Sequence, residues 1–117
     1  MELEFETAAA FLRELGKHPL PGSKSLTTSK LLELYGWFKQ ASEGDCSCPA
    51  PSWINFERFN KHKAWISCKG MSKEEAQFRY INQARVIARG VSAEISASHP
   101  GFKYFKNLME SPNTSSI

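Results

Sequence analysis

No stretch of the 117 residues is apolar for long enough to cross a membrane. Met1-Glu2-Leu3-Glu4-Phe5 is acidic and lacks the basic region and apolar run of a secretion signal. These two absences set the expectation of a soluble, cytoplasmic protein. Cysteine is scarce as well: three residues, an odd number, close no disulfide framework and fit a reducing compartment. There is no polybasic block, because 15 basic and 12 acidic residues are spread along the chain and leave a net charge of +3, a mild lean toward anionic partners. No apolar residues alternate with period two for long enough to build a sheet, and no repeat is visible. A glycine-rich phosphate loop and a nucleophile elbow are both missing, and His18 and His99 sit in loop-like sequence. No catalytic residue is therefore expected, and the chain reads as a binding protein rather than an enzyme.

What remains is helical. With 41% hydrophobic residues and 14 aromatics, the chain can bury one modest core. Phe5, Ala8, Ala9, Leu12 and Leu15 fall at helical spacing and predict a first helix over roughly 2–16 with one buried stripe, ended by Gly16 and Pro19. Residues 17–28 carry two prolines, Gly22 and several hydroxyl residues, and read as a long loop. Thr27 or Thr28 can cap a second helix over roughly 28–42, with Leu31, Leu34, Tyr35 and Phe38 as its stripe and Gly44 as a left-handed terminal residue. Residues 45–51 read as loop and 52–59 as ambiguous, before a short helix over about 58–67 ended by Gly70. Ser72-Lys73-Glu74-Glu75 is a capping box that starts a last helix with Ala76, Tyr80, Ala84 and Ile87 on one face.

Within that frame Tyr35-Gly36-Trp37-Phe38-Lys39 stands out. Tyr35 and Lys39 lie at i and i+4 with Phe38 one position before Lys39, so one helical face presents rings and a cation suited to an aromatic, phosphorylated ligand. At helical spacing alone, Tyr35 and Phe38 read as core aromatics and Lys39 as a solvated charge. The rest of the pattern decides against that bland reading. Tyr35-x-x-Phe38-Lys39-Gln40-Ala41-x-x-Gly44-Asp45 is followed by Pro51, Lys61-x-x-Ala64-Trp65, Lys69-Gly70-x-Ser72-Lys73-Glu74-x-Ala76 and Tyr80. In this order and spacing, without a gap from Tyr35 to Tyr80 and with weaker similarity from about Phe5 to Ala88, the chain resembles the acyl-CoA-binding protein family.

The resemblance implies an all-α, four-helix bundle over residues 1–91 that carries medium- to long-chain fatty acyl-CoA as an intracellular carrier and pool former. It implies a ligand but no cofactor. By the family's pattern Tyr35 and Phe38 contact the adenine nucleotide, Lys39 and Lys61 pair with the 3′-phosphate from two helices, and Tyr80 completes the pocket. Arg13 matches a basic position near the phosphates, and Ala9, Leu12, Leu31 and Leu32 match positions that line the acyl chain. An alkyl chain offers nothing polar to recognise, so its affinity must come from burial at about 0.8 kcal/mol per methylene. Trp65 is expected to pack the bundle. A monomer is expected, with transient contacts to membranes or acyl-CoA-using enzymes.

Two other readings use overlapping residues. Cys46, Cys48, Cys68 and His62 invite a metal site, but Cys-x-Cys lacks the usual two-residue spacer, and surface thiols in a loop are expected instead. Arg58, Lys61, His62, Lys63 and Lys69 among Trp53, Phe56, Phe59 and Trp65 have the mix that binds single-stranded nucleic acid, yet no known module fits and no nucleic-acid partner is expected. Departures from the family pattern are the lengthened loop after Pro19, His62 where a tryptophan is common, and residues 92–117, which run past the usual end. That extension reads as a final helical turn packed on the bundle or a loose tail, with Pro112–Ile117 disordered. An acyl-CoA sensor that recruits a partner or membrane through the extension is the alternative to a carrier.

Overall fold

In the computed structural model, residues 2–22 and 26–110 are described, and among them all regular structure is helical. The expectation for Pro112–Ile117 lies outside the described residues. The described residues hold the four helices expected over residues 1–91, α1 (Glu2–Lys17), α2 (Thr28–Glu43), α3 (Phe56–Ile66) and α4 (Lys73–Gly90), and a fifth, α5 (Phe102–Glu110), in the extension. None is long and apolar enough to cross a membrane. Contacts divide the described chain into two units, one of residues 26–80 and one of 2–22 with 81–110, with α4 contributing residues to both.

The unit of residues 26–80 is built on α2 packed against α3. Thr27 caps α2, its hydroxyl accepting the Lys30 N–H at 3.2 Å. Asn55 does the same for α3 by accepting the Arg58 N–H at 3.4 Å, so this helix starts two residues before the expected boundary. The two helices meet where Gly36 faces Ala64: a Cβ on Gly36 would stand 2.5 Å from the Ala64 carbonyl oxygen, so only glycine permits the approach. Ser72 caps α4 by accepting the Glu75 N–H at 3.0 Å. The reciprocal half of the expected capping box is not made, because the Glu75 carboxylate takes Arg79 Nε at 2.6 Å instead.

Buried Gln40 ties this unit's loops together. Its Nε2 donates to Asp45 Oδ1 and to the Met71 carbonyl, both at 2.8 Å, and the Gly70 N–H donates to the same Asp45 oxygen at 2.9 Å. Gly44 ends α2 with φ +81° and ψ −156°, a positive φ as expected but outside the left-handed helical region. That conformation presents its carbonyl to Trp65 Nε1, which donates to it at 2.8 Å. The Gly70 N–H first, and then the Gln40 amide, hold the Asp45 carboxyl below the usual carboxylate range. A depressed folded pKa contributes stability above the unfolded value near 3.9 and loses it as pH falls through the lower folded value. Asp45→Asn is therefore expected to flatten the loss of stability below about pH 4 in urea unfolding curves, and an unchanged acid limb would contradict this.

The unit of residues 2–22 and 81–110 packs α1 against α5. The buried stripe of α1 is Phe5, Ala8, Phe11 and Leu15; Ala9 and Leu12, expected in that stripe, are only half-buried, and Phe11, not singled out in the sequence, has no exposed surface. The correction follows from α5, whose Phe105 ring lies 6.4 Å from that of Phe11 and draws the buried face toward it. Gly16 sits inside α1, which continues to Lys17. Arg85, buried on α4, donates from Nη2 to Glu4 Oε2 at 2.9 Å and from Nε to the Leu108 carbonyl at 3.4 Å, joining three helices through one guanidinium. Gly22 N–H donates to Glu94 Oε2 at 2.9 Å, and His99 Nε2 meets the His18 carbonyl at 2.7 Å while its Nδ1 accepts the Gly101 N–H.

Candidate functional site

One face of α2 presents Leu31, Tyr35, Phe38 and Lys39, with Leu31 left 52% exposed and the other three half-buried. From α3, Lys61 places its Nζ 5.4 Å from the centre of the Tyr35 ring. Tyr80, in the part of α4 belonging to this unit, sets its ring 5.8 Å from that of Phe38, tilted by 52°. Five of the expected residues, Tyr35, Phe38, Lys39, Lys61 and Tyr80, therefore share this unit, with Lys61 against Tyr35 and Phe38 against Tyr80. Lys39 Nζ stands 4.7 Å over the buried Trp65 ring, so Trp65 both packs α3 and forms the floor beneath the first lysine.

Each lysine already holds a carboxylate. Lys39 pairs with Glu43 and Lys61 with Glu57 Oε1 at 2.9 Å, both one turn along their own helix. The Glu43 hydrogen bond outweighs partial desolvation and raises the Lys39 pKa above the ordinary lysine value, so this ammonium is charged throughout the neutral range. These exposed carboxylates are exchangeable partners, since an i,i+4 pair of this kind is worth only about 0.3–0.5 kcal/mol. An anion that engages both ammonium groups replaces two weak contacts with a shared stronger one. Glu43 and Glu57 were not picked out in the sequence, although their spacing from the lysines is the signal that finds them.

The remaining expected residues lie at the edge of this face or in the other unit. Leu32 lies at the edge of this face, seven residues before Lys39, and with Trp37, Ala64, Cys68, Met71 and Arg79 it lines a cavity of about 470 Å³. Ala9, Leu12 and Arg13 belong to the other unit, where they follow one face of α1, the first two half-buried and Arg13 exposed. His62 turns toward the loop before α3, its Nε2 3.0 Å from the Cys48 carbonyl. Cys68, expected as a surface thiol, is buried, and burial pushes its pKa up, whereas Cys48 is exposed and Cys46 half-buried.

Comparison with known proteins points the same way as this geometry. The family model described as "Acyl CoA binding protein" matches residues 2–84. The chain is 38% identical over 77 residues to the acyl-CoA-binding protein of Dictyostelium discoideum, covering 66% of this chain and 83% of that one. It is 38% identical over 88 residues to diazepam-binding inhibitor-like 5 of Mus musculus, covering 75% of this chain and 93% of the relative. Among solved structures, the crystal structure of ACBP from Moniliophthora perniciosa superposes with a TM-score of 0.71 at 26% identity, over 95% of this chain and 97% of that one.

Proposed function

The chain belongs to the acyl-CoA-binding protein family, and on that premise we propose that it binds medium- to long-chain fatty acyl-CoA esters and serves as their intracellular carrier. The observation that supports this reading best is the Lys61 ammonium over the Tyr35 ring with Lys39 one turn further along α2. A ring and two cations from the packed helices α2 and α3 suit an adenosine bearing a phosphate: the base stacks on an aromatic face while the phosphate exchanges with Glu43 and Glu57 for the lysines.

In this reading Tyr35, Phe38 and Tyr80 take the adenine nucleotide and Lys39 and Lys61 the 3′-phosphate. Leu31, the exposed leucine of the same face, meets the ligand's apolar part; for Ala9, Leu12 and Arg13 of α1 the support is the family pattern alone. Leu32, at the edge of that face, meets the apolar part as well, from the rim of the cavity it lines with Trp37 and Ala64. Residues 1–91 form the binding domain and 92–117 an extension. The protein acts as a cytoplasmic monomer without a cofactor or a catalytic step, delivering its ligand to membranes or to acyl-CoA-using enzymes. The carrier is favoured over a sensor because α5 is engaged in packing on α1, with Leu108 buried and Phe105 against Phe11.

Calorimetric titration with palmitoyl-CoA, CoA and palmitate in parallel tests the proposal. Burial of about four methylenes at roughly 0.8 kcal/mol each already amounts to about two hundredfold, so palmitoyl-CoA is expected to bind at least that much more tightly than CoA. Palmitate, lacking the nucleotide, is expected to bind far more weakly still than the ester. Equal and weak binding of all three ligands would remove the proposal.

A further inference from the structure

Trp53, Ile54 and Phe56 are 66%, 71% and 68% exposed, three large apolar side chains within four residues at the start of α3. Scattered apolar residues are ordinary on a protein surface, but a cluster of this size on one turn marks an interaction site. The turn that carries them is well formed without their side chains. Asn55 N–H donates to the Ser52 carbonyl at 3.0 Å, Ile54 N–H to the Ser52 hydroxyl at 3.3 Å, and the Asn55 side chain caps α3. The fold therefore presents the three side chains outward on a fixed tip.

The charge around the tip is distinctive. Between Cys46 and Gly70 the chain carries Arg58, Lys61, Lys63 and Lys69 against one acid, Glu57, so this segment holds the whole net charge of +3 and the remaining residues balance. Glu57 is neutralised by Lys61. Lys63 lies two turns from Phe56 on the same side of α3, its Nζ 5.8 Å over the Phe59 ring. An apolar tip of tryptophan, isoleucine and phenylalanine backed by cations matches the layering of an anionic bilayer surface: acyl boundary, interface and phosphate.

We propose that the tip formed by Trp53, Ile54 and Phe56 is a membrane-docking surface that inserts into the interface of anionic bilayers, with Arg58 and Lys63 held by lipid phosphates. The surface gives the proposed delivery to membranes a physical location, one helical turn ahead of Lys61. It rests on residues outside the nucleotide face, so the two readings can fail separately. Single-stranded nucleic acid fits these residues less well. The Trp65 ring that such a site would need is buried with its N–H committed to Gly44, and an exposed isoleucine adds nothing to base stacking.

The test is flotation of the full chain with vesicles of phosphatidylcholine alone or mixed with phosphatidylserine, free of any acyl-CoA, at low and raised salt. Wild type is expected to float with the mixed vesicles, less so at raised salt, and scarcely with phosphatidylcholine alone. The double variant Trp53→Ser/Ile54→Ser is expected to lose binding by about tenfold or more while its unfolding curve and its palmitoyl-CoA titration match wild type. Arg58→Gln/Lys63→Gln is expected to bind the mixed vesicles more weakly and to lose most of the salt dependence. Wild type that ignores anionic vesicles, a serine variant that floats as well as wild type, or loss in that variant of oligonucleotide binding with no vesicle binding in wild type would each overturn the proposal.

Discussion

Trp65→Ala is expected to lower the free energy of unfolding by about 3–5 kcal/mol, the range for emptying a buried tryptophan site. The side chain is 7% exposed at the point where α3 meets the end of α2, and its indole N–H is the partner of the Gly44 carbonyl at 2.8 Å. Truncation removes the ring's packing, leaves that carbonyl without its donor and takes away the surface over which Lys39 Nζ lies. Trp65→Phe separates these contributions. It keeps an aromatic ring beneath Lys39 and loses the hydrogen bond and part of the volume, so a smaller loss of about 1–3 kcal/mol is expected. Urea unfolding followed by circular dichroism reads both. An alanine variant within about 1 kcal/mol of wild type would mean that this ring is not what joins α2 to α3.

The second large effect concerns the ligand rather than the fold. Lys39→Ala/Lys61→Ala is expected to weaken palmitoyl-CoA binding by about two to four orders of magnitude. Each charge-assisted contact is worth about 1.5–3 kcal/mol, and about 0.3–0.5 kcal/mol of each is returned because the lysine must leave its glutamate. The two contributions are not independent, since both lysines address one anion, so their sum is an upper bound. Stability should barely change, because in the free protein each lysine holds only an exposed glutamate one turn along its own helix. A double variant that binds within threefold of wild type would show that the phosphate is held elsewhere.

The residues that explain these two predictions were legible in the sequence to different degrees. Tyr35, Phe38, Lys39, Lys61 and Tyr80 were readable because helical spacing fixes which side chains share a face, and the ungapped pattern fixed which helices contribute. Leu32 stands at the edge of that face, where it also lines the cavity with Trp37 and Ala64. Gln40 and Asp45 stood in the motif as family residues without a function. Their meaning, a link from the end of α2 to Gly70 and Met71, depends on hydrogen bonds spanning 25 and 31 residues that periodicity does not encode. Phe11 was hidden in the same way. Its burial comes from α5, nine residues that read as a final turn or loose tail because they lie past the usual end of the family pattern. Arg85 is the extreme case: an arginine on a helix reads as surface until Glu4 and the Leu108 carbonyl are brought to it.

The central claim is that Lys39 and Lys61 converge on the phosphate of an adenosine held against Tyr35. It is tested most directly by titrating wild type and Lys39→Ala/Lys61→Ala with palmitoyl-CoA and with its 3′-dephospho counterpart. Wild type is expected to lose about two orders of magnitude or more when the ligand loses its 3′-phosphate, and the double variant is expected to bind the two ligands alike. A double variant that still prefers the phosphorylated ligand as strongly as wild type does, or a wild type indifferent to the phosphate, would contradict the account.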